Sequence, residues 1–176
     1  MEKIVLVTGG ARSGKSSYAL QCTSRYLRKG FIATASAADD EMKQRIAKHQ
    51  QERGSEFITV EETRHLAQAL DSLQQRVEVV VIDCLTVWLG NLFYYHDEPQ
   101  QHFPEIEAFL DALKRPVCDI FIVTNEVGAG IVPENSLARC FRDQAGLLNQ
   151  QVAHIADKVI FMVSGYPIFV KGDSLE

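Results

Sequence analysis

The chain carries, near its start, the stretch Val5-Leu6-Val7-Thr8-Gly9-Gly10-Ala11-Arg12-Ser13-Gly14-Lys15-Ser16, and this stretch decides the fold. Its last eight residues fit the pattern G-x-x-x-x-G-K-[ST] completely. The apolar, β-branched run Lys3–Thr8 before them predicts a strand buried on both faces, and a helix is predicted to begin at Lys15. A glycine-rich loop between a strand and a helix lets backbone N–H groups surround phosphates. The alternative is a chance glycine-rich turn, but these flanks favour a nucleotide-phosphate loop.

The loop chemistry assigns separate roles to its residues and to a distant acid. Lys15 is predicted to neutralise oxygens of the β- and γ-phosphates, and the Ser16 hydroxyl to reach Mg²⁺. Such a site needs a carboxylate at the end of a neighbouring strand, which Asp83 supplies after Val79-Val80-Val81-Ile82. The alternative for Asp83 is a cap on the helix that is predicted to begin near Leu85, and the two roles are compatible.

Outward from the loop, buried strands alternate with helices. Strands are predicted at Phe31–Ala35, Phe57–Glu61, Val77–Asp83, Asp119–Asn125, Lys158–Val163 and Ile168–Lys171, and helices at Lys15–Leu27 (closed by Gly30), Asp39 to about Arg53, His65–Gln75, Leu85–Phe93, Phe103–Lys114 and Ser136–Ile155. This order predicts a mostly parallel sheet with helices on both faces, and the turn Ser164–Pro167 predicts an antiparallel edge strand at the C-terminus.

The same pattern predicts how the chain is divided. No linker or internal repeat interrupts it, so residues 1–176 are expected to form one nucleotide-binding α/β domain of the P-loop NTPase class, RecA-like in type. The polar stretch Tyr94–Pro104, with two prolines and two histidines, is expected to be mobile.

Composition excludes several classes of protein. Hydrophobic residues make up 46% and charged residues 23%, as in ordinary globular domains, so disordered, collagen-like and disulfide-scaffold proteins are excluded. A net charge of −5 argues against a nucleic-acid partner. Four widely spaced cysteines, without a C-x-x-C pair, are expected to be reduced thiols. Since no signal-peptide or membrane-spanning pattern is present either, a cytoplasmic protein without membrane insertion is expected.

A second candidate site lies on the helix predicted after Asp39. Arg45, His49 and Arg53 are spaced i, i+4, i+8, which places two guanidiniums on either side of an imidazole. Neighbouring cations favour the neutral, nucleophilic imidazole, and the arginines suit a phosphate that it attacks. The alternative is a solvated basic face with Glu41 and Glu52 as local partners, and spacing alone leaves the choice open.

Other polar residues have less defined roles. The loop Thr124–Pro133 follows a buried strand, where parallel sheets place functional loops, although an ordinary connection has a similar composition. Arg139 and Arg142 are expected to face either a nucleotide or solvent. The remaining histidines have no companion at metal-ligand spacing and are interpreted as non-catalytic: His65, His96, His102 and His154.

Several motifs together resemble one enzyme family. They are Thr8–Ser16, Ile32-Ala33-Thr34-Ala35, Asp40-Glu41-Met42 with Arg45-Ile46 and His49, Asp83-Cys84-Leu85-Thr86, Thr124–Pro133, Phe141-Arg142-Asp143, Gly146, Asn149-Gln150 and Ala156-Asp157. Over nearly its full length the chain resembles the bifunctional adenosylcobinamide kinase/adenosylcobinamide-phosphate guanylyltransferases of cobalamin biosynthesis.

The resemblance implies two reactions. In that family a nucleoside triphosphate, ATP or GTP, phosphorylates the aminopropanol hydroxyl of adenosylcobinamide, and GMP is then transferred from GTP to the product adenosylcobinamide phosphate, which gives adenosylcobinamide-GDP and pyrophosphate. A histidine carries the guanylyl group, and it corresponds to His49 here. Mg²⁺ is implied as the cofactor, with Lys15 and Asp83 as further catalytic residues, and a homotrimer as the assembly.

The resemblance also implies a set of nucleotide contacts. They map onto Gly9, Gly10, Ala11, Arg12, Ser13, Gly14, Lys15, Ser16, Thr34, Ala35, Ser36, Gln50, Gln51, Glu52, Arg53, Glu61 and Asp83. A carboxylate such as Glu61 suits the N1–H and N2–H₂ edge of guanine. The chain departs from the family at Gly54, where proline is common, and near Leu20 on the helix after the phosphate loop, where a glutamate is common.

Two competing functions remain open from the sequence. The first is a P-loop kinase for a small hydroxyl substrate, without nucleotidyl transfer. The second is a non-enzymatic P-loop switch that binds a protein partner, although the chain lacks an Asn-Lys-x-Asp guanine motif.

Overall fold

The structure is a computed structural model that describes residues 3–36, 56–96 and 102–173. Its strands are β1 Ile4–Gly9, β2 Lys29–Ala33, β3 Phe57–Glu61, β4 Val79–Asp83, β5 Asp119–Val123, β6 Lys158–Val163 and β7 Tyr166–Lys171, and its helices are α1 Lys15–Cys22, α2 Leu66–Gln74, α3 Leu85–Tyr95, α4 Pro104–Leu113 and α5 Ser136–Ile155. Within these ranges, none of the helices has the length and apolar character that crossing a bilayer requires.

The strands form one seven-stranded sheet in the order β3-β2-β4-β5-β1-β6-β7. All neighbouring strands are parallel except β6 and β7, which pair antiparallel at the edge. The mostly parallel sheet with an antiparallel C-terminal edge, predicted from the sequence, is confirmed. Because β5 lies between β1 and β4, the register places Val123 between Val7 on one side and Asp83 on the other.

Two apolar clusters cover the two faces of the sheet. The β-branched strands are buried on both faces, as parallel strands between helix layers require. Side chains that alternate along β1 divide between the clusters: Ile4 and Leu6 pack with α2, α3, α4 and α5, whereas Val5 and Val7 pack with α1. Helices therefore lie on both faces among the described residues, and the carboxyl edge of the sheet lies between the two layers.

The first helix is shorter than predicted. The sequence pattern predicts a helix to Leu27 closed by Gly30, but α1 ends at Cys22. Thr23 stops it, because its hydroxyl donates to the carbonyl of Leu20 at 2.7 Å and its N–H bonds the same turn. Gly30 lies inside β2 instead, where a Cβ atom would come within 3.3 Å of Leu73, Val77 and Val80. The glycine therefore serves close packing between strand and helix and does not cap a helix.

The C-terminal hairpin is tighter than predicted. Its turn consists of Ser164 and Gly165, both at positive φ, and β7 begins at Tyr166 rather than Ile168. The helix predicted from Asp39 to Arg53 lies outside the described residues, as do residues 97–101 of the stretch predicted to be mobile.

Candidate functional site

The phosphate loop joins the end of β1 to the start of α1. Gly14 occupies the N-cap position of α1 with φ of 94°, and Arg12 also has positive φ, so the chain turns sharply before the helix. Lys15 is buried, and its Nζ donates to the carbonyl of Gly10 at 2.6 Å and to Ser13 Oγ at 3.5 Å. The ammonium group therefore lies within the loop, at the N-terminus of the helix, where the helix dipole also favours an anion.

The loop is supported from the C-terminal hairpin. The N–H of Gly165 donates to the carbonyl of Ser13 at 3.0 Å. A Cβ atom on Gly9 would come within 2.5 Å of the Met162 carbonyl oxygen, and one on Gly14 within 3.3 Å of the Gly165 Cα atom. Two of the loop glycines are thus required by close approach of β6 and the turn after it, as well as by their φ angles.

Asp83 ends β4, across β5 from the phosphate loop. The peptide bond between Asp83 and Cys84 is cis. Cys84, not Asp83, occupies the N-cap position of α3, so the capping role considered for Asp83 is not the one observed. Burial, aided by the Asp83 carboxylate, raises the pKa of the Cys84 thiol to about 11. The thiol is therefore protonated at neutral pH and contributes no negative charge beside Asp83.

Thr34 joins the ends of β2 and β4. It is fully buried, its hydroxyl donates to the carbonyl of Cys84 at 2.8 Å, and it accepts from the Cys84 N–H at 2.8 Å. The Asn91 amide donates to the Thr34 carbonyl at 2.8 Å. Of the neighbouring residues predicted to contact nucleotide, Ala35 is half-buried and Ser36 is exposed. The Thr34 hydroxyl is therefore fully used in hydrogen bonds within the protein, whereas Ser36 is accessible to a ligand.

A ring of hydrogen bonds connects the start of α3 and the end of β5 with α5. Thr124 Oγ1 donates to Asn149 Oδ1 at 2.8 Å, and Asn149 Nδ2 donates to the carbonyl of Asn125 at 3.1 Å. The Asn125 N–H donates to Thr86 Oγ1 at 2.8 Å, and the two threonine hydroxyls lie 3.3 Å apart. Sequence reasoning did not single out this ring. Its signal was Asn149, a polar residue four positions after buried Ala145 on the apolar stripe of α5.

The structure brings only part of the predicted site together. Lys15, Ser16 and Asp83 lie at one carboxyl edge, on the two sides of β5. Glu61 is exposed at the end of β3, two strands beyond β4. The remaining predicted residues lie outside the described part of the chain: Arg45, His49, Gln50, Gln51, Glu52 and Arg53.

A buried carboxylate near the start of α4, that of Glu105, joins the segment after β3 to the end of α3. Glu105 accepts from Arg64 Nε at 2.8 Å, and both its oxygens lie 3.1 Å from His96 Nε2. Partial burial opposes ionisation of Glu105, but the hydrogen bonds from Arg64 and His96 outweigh it and lower the carboxyl pKa. His96 therefore has a structural partner, in agreement with its non-catalytic interpretation.

The two arginines of uncertain role bond to their own region. Arg139 Nη1 donates to the carbonyl of Pro133 at 3.0 Å, and it also bonds the carbonyl of Glu134 at 2.5 Å. Arg142 pairs with Asp143 at 3.0 Å. Arg139 thus links α5 by hydrogen bonds to the end of the loop that follows β5. Arg142 forms an ion pair at the surface.

Comparison with solved structures supports the fold. The chain is similar to the ATPase EscN of the enteropathogenic E. coli type III secretion system, with a TM-score of 0.55, 14% identity, and coverage of 91% of this chain but 42% of that one. It is also similar to a Pyrococcus horikoshii OT3 protein, with a TM-score of 0.55, 8% identity, and coverage of 98% and 87%. At these identities the likeness concerns the fold alone, and it supports the mostly parallel α/β architecture predicted from the sequence.

Comparison of sequences identifies the family. The chain is 42% identical over 171 residues to the bifunctional adenosylcobalamin biosynthesis protein CobP of Pseudomonas aeruginosa, covering 97% of this chain and 98% of the relative. It is 39% identical over 180 residues to the bifunctional protein CobU of Escherichia coli K12, covering 96% and 99%. The family model described as cobinamide kinase / cobinamide phosphate guanyltransferase matches residues 5–170. The chain therefore belongs to the cobinamide kinase / cobinamide phosphate guanyltransferase family.

Proposed function

We propose that the chain phosphorylates adenosylcobinamide with ATP or GTP and then transfers GMP from GTP to the phosphorylated product. One observation carries the proposal: in a chain of this family, Lys15, Ser16 and Asp83 lie at the same edge of the sheet. Phosphoryl transfer depends mainly on positioning and charge stabilisation, and these residues supply both.

In the first reaction the substrate hydroxyl attacks the γ-phosphorus. A bond forms between this oxygen and phosphorus, the bond to the β-phosphate oxygen breaks so that ADP or GDP leaves, and the hydroxyl proton passes to solvent. The loop N–H groups and the Lys15 ammonium hold the β- and γ-phosphate oxygens in line for this displacement. Lys15 leaves its contact with the Gly10 carbonyl to bind these oxygens, since a phosphate is a stronger acceptor than a carbonyl.

We propose Mg²⁺ as the cofactor, held by the Ser16 hydroxyl and the Asp83 carboxylate. The donor set fits this ion, because Mg²⁺ is typically bound by one or two carboxylates together with substrate phosphates. Among residues 3–36, 56–96 and 102–173, no group of three or more His, Cys, Asp or Glu side chains is arranged as a metal cage. When bound, the ion would neutralise charge on the phosphate oxygens.

In the second reaction we propose His49 as the nucleophile. Its imidazole nitrogen attacks the α-phosphorus of GTP, an N–P bond forms and pyrophosphate leaves. The phosphate oxygen of adenosylcobinamide phosphate then attacks the same phosphorus, and the N–P bond breaks to release adenosylcobinamide-GDP. Arg45 and Arg53, four residues to either side in sequence, offset the repulsion between the anionic reactants.

The nucleotide contacts of the described residues are proposed along the carboxyl edge. We assign Gly9–Ser16 and Asp83 to the phosphates, and Ala35, Ser36 and Glu61 to the rest of the nucleotide. From the family resemblance alone, we also assign residues 50–53 to the nucleotide. Thr34 belongs to the site through Cys84, because its hydroxyl bonds both backbone groups of that residue.

Labelling with α-³²P GTP tests the second reaction. We expect a covalent adduct that is stable to alkali and labile to acid, as an N-linked phosphoryl group is, and mass mapping should place GMP on His49. His49→Ala should lose the adduct and adenosylcobinamide-GDP formation, while some phosphorylation of adenosylcobinamide survives.

The matched control is His154→Ala, which removes an exposed histidine from the last turn of α5 and should keep the adduct. GMP on another residue, or a fully active His49→Ala transferase, would refute the assignment. Phosphorylation of adenosylcobinamide with no adduct in the wild type would identify the chain as a kinase alone.

We further infer an assembly and a compartment. The family resemblance implies a homotrimer of this single domain, and exposed Tyr166, Ile168 and Val170 give edge strand β7 an apolar surface that an assembly would cover. Light scattering on the purified protein would measure the mass, and a monomer at micromolar concentration would exclude the trimer. Four free cysteines, two of them buried, suit a reducing, cytoplasmic environment.

A further inference from the structure

We propose that the side-chain amide of Asn125 donates a hydrogen bond to the γ-phosphoryl group of the bound nucleoside triphosphate, and that Asn149 is the residue that positions it. The inference rests on the proposed kinase function and adds a substrate-contacting residue to the phosphate loop and Asp83. It comes from the ring of hydrogen bonds formed by Thr86, Thr124, Asn125 and Asn149.

The ring has only one consistent arrangement of protons. The Thr124 hydroxyl gives its proton to Asn149 Oδ1, so the bond between the two threonines is donated by Thr86. Thr86 in turn accepts from the Asn125 N–H. Flipping the Asn149 amide would turn its oxygen toward the Asn125 carbonyl, two acceptors facing each other. The ring therefore holds Asn125 in a single backbone position.

Both backbone groups of Asn125 are used in this ring, but its side chain is not. Its N–H donates to Thr86 and its carbonyl accepts from Asn149. The side chain is half-buried and makes no hydrogen bond within the described residues. A half-buried amide on a fixed backbone, without a hydrogen-bond partner in the described part of the chain, is suited to a ligand, because it can donate without breaking a bond inside the protein.

The position of Asn125 determines which ligand atom it meets. It follows Val123 by two residues, and Val123 lies between Val7 of the loop strand and Asp83. The next residue, Glu126, donates its N–H to the carbonyl of Gly9 at 3.0 Å, so this segment touches the start of the phosphate loop. Asn125 thus lies between the groups proposed for the triphosphate and for its metal ion.

The residue type suits a terminal phosphate. An amide N–H₂ donates to anionic oxygen without adding a charge, and it stays a donor at all physiological pH values. A hydrogen bond to a charged group is also stronger than one between neutral groups. Asparagine therefore adds stabilisation for the γ-phosphate while leaving the overall charge of the site unchanged.

Nucleotide affinity gives a test that does not depend on the acceptor substrate. We would measure binding of β,γ-imido-ATP and of ADP by calorimetry to the wild type and to Asn125→Ala, Asn125→Asp and Asn149→Leu. The wild type should favour the triphosphate analogue, and Asn125→Ala should reduce this preference about tenfold. Asn125→Asp should reduce it further because its carboxylate repels the γ-phosphate, and Asn149→Leu should reduce it less.

Asn135→Ala is the matched control, since Asn135 is exposed and only caps α5 by accepting from the Ala138 N–H. It should lower the melting temperature and keep the nucleotide preference. An unchanged preference in folded Asn125→Ala, or in folded Asn125→Asp if the alanine variant does not fold, overturns the inference. Failure of the wild type to phosphorylate adenosylcobinamide refutes the proposed function instead, and the binding comparison still decides the role of Asn125.

Discussion

Two asparagines at the same edge of the sheet are used in opposite ways. The side chain of Asn91 is used within the protein: its amide donates to the carbonyls of Thr34 at 2.8 Å and Thr63 at 3.2 Å. These bonds connect the segments after β2 and β3. Asn125 instead forms hydrogen bonds through its backbone N–H and carbonyl, and its side chain has no hydrogen-bond partner in the described residues. The contrast shows that residue type alone does not distinguish a structural asparagine from one that can bind a ligand. The distinction lies in whether the backbone or the side chain makes the hydrogen bonds within the protein.

The surroundings of the two asparagines repeat this contrast. Near Asn91, Arg64 and Glu105 form an ion pair, and Trp88 Nε1 donates to the carbonyl of Arg64 at 2.8 Å, so polar groups satisfy one another. Near Asn125, the exposed part of the loop, Gly10–Arg12, presents backbone to solvent. We call the first the structural side and the second the phosphate side, and substitutions on each should change different quantities.

The largest effect is expected on the phosphate side, from Lys15→Ala. Removing the ammonium group should lower turnover in both triphosphate-dependent reactions by at least about 10²–10³-fold, because the charge that holds the β- and γ-phosphate oxygens is lost. We expect the fold to stay intact, since Lys15 begins α1 and belongs to neither of the two apolar clusters. Steady-state kinetics and circular dichroism measure the two quantities. Lys114→Ala is the control, since Lys114 is exposed and pairs with Asp111 near the end of α4. Unchanged turnover in folded Lys15→Ala would remove the loop from the mechanism.

A smaller loss of activity is expected from Asp83→Asn. The change keeps the shape and removes the charge, so activity at a fixed Mg²⁺ concentration should fall about 10- to 100-fold, more than nucleotide affinity falls. Added Mg²⁺ should recover part of the activity, whereas it should not rescue Lys15→Ala. Retained activity together with lower thermal stability would show that Asp83 belongs to the structural side.

The smallest expected effect, and one on stability, is that of Thr34→Val. Valine keeps the volume but leaves the buried N–H of Cys84 without the Thr34 hydroxyl, which should cost about 1–3 kcal/mol in the free energy of unfolding. The Cys84 carbonyl loses one of its two bonds and keeps the one from the Trp88 N–H. Thr34→Ser keeps the hydroxyl and should lose less. Urea unfolding gives the values, and a Thr34→Val protein with unchanged stability but impaired nucleotide binding would move Thr34 to the phosphate side.

Much of the fold was readable from local pattern. Phe57–Glu61, Ser136–Ile155 and Lys158–Val163 have the predicted bounds, because periodicity and flanking breakers coincide there. The end of α1 was missed, since one threonine side chain bonding its own turn outweighs several residues with good helix propensity.

The site was predicted where a contiguous motif defines it and missed where distant residues meet. The phosphate loop is local, so its pattern alone predicts its conformation. The ring around Asn125 joins residues 24 to 39 positions apart, and its bonds depend on strand order and helix placement. Thr34 shows the same limit, because the Cys84 backbone that occupies its hydroxyl lies 50 positions away.

The central place of β1 has a consequence for the order in which the protein is made. The strand leaves the ribosome well before its two neighbours, Asp119–Val123 and Lys158–Val163, which lie much later along the chain. The contact of Gly165 with Ser13 is later still. A nascent chain thus carries its nucleotide motif without the partners that shape it until these later segments have been made, and we expect competence to bind nucleotide only after Gly165 has been synthesised.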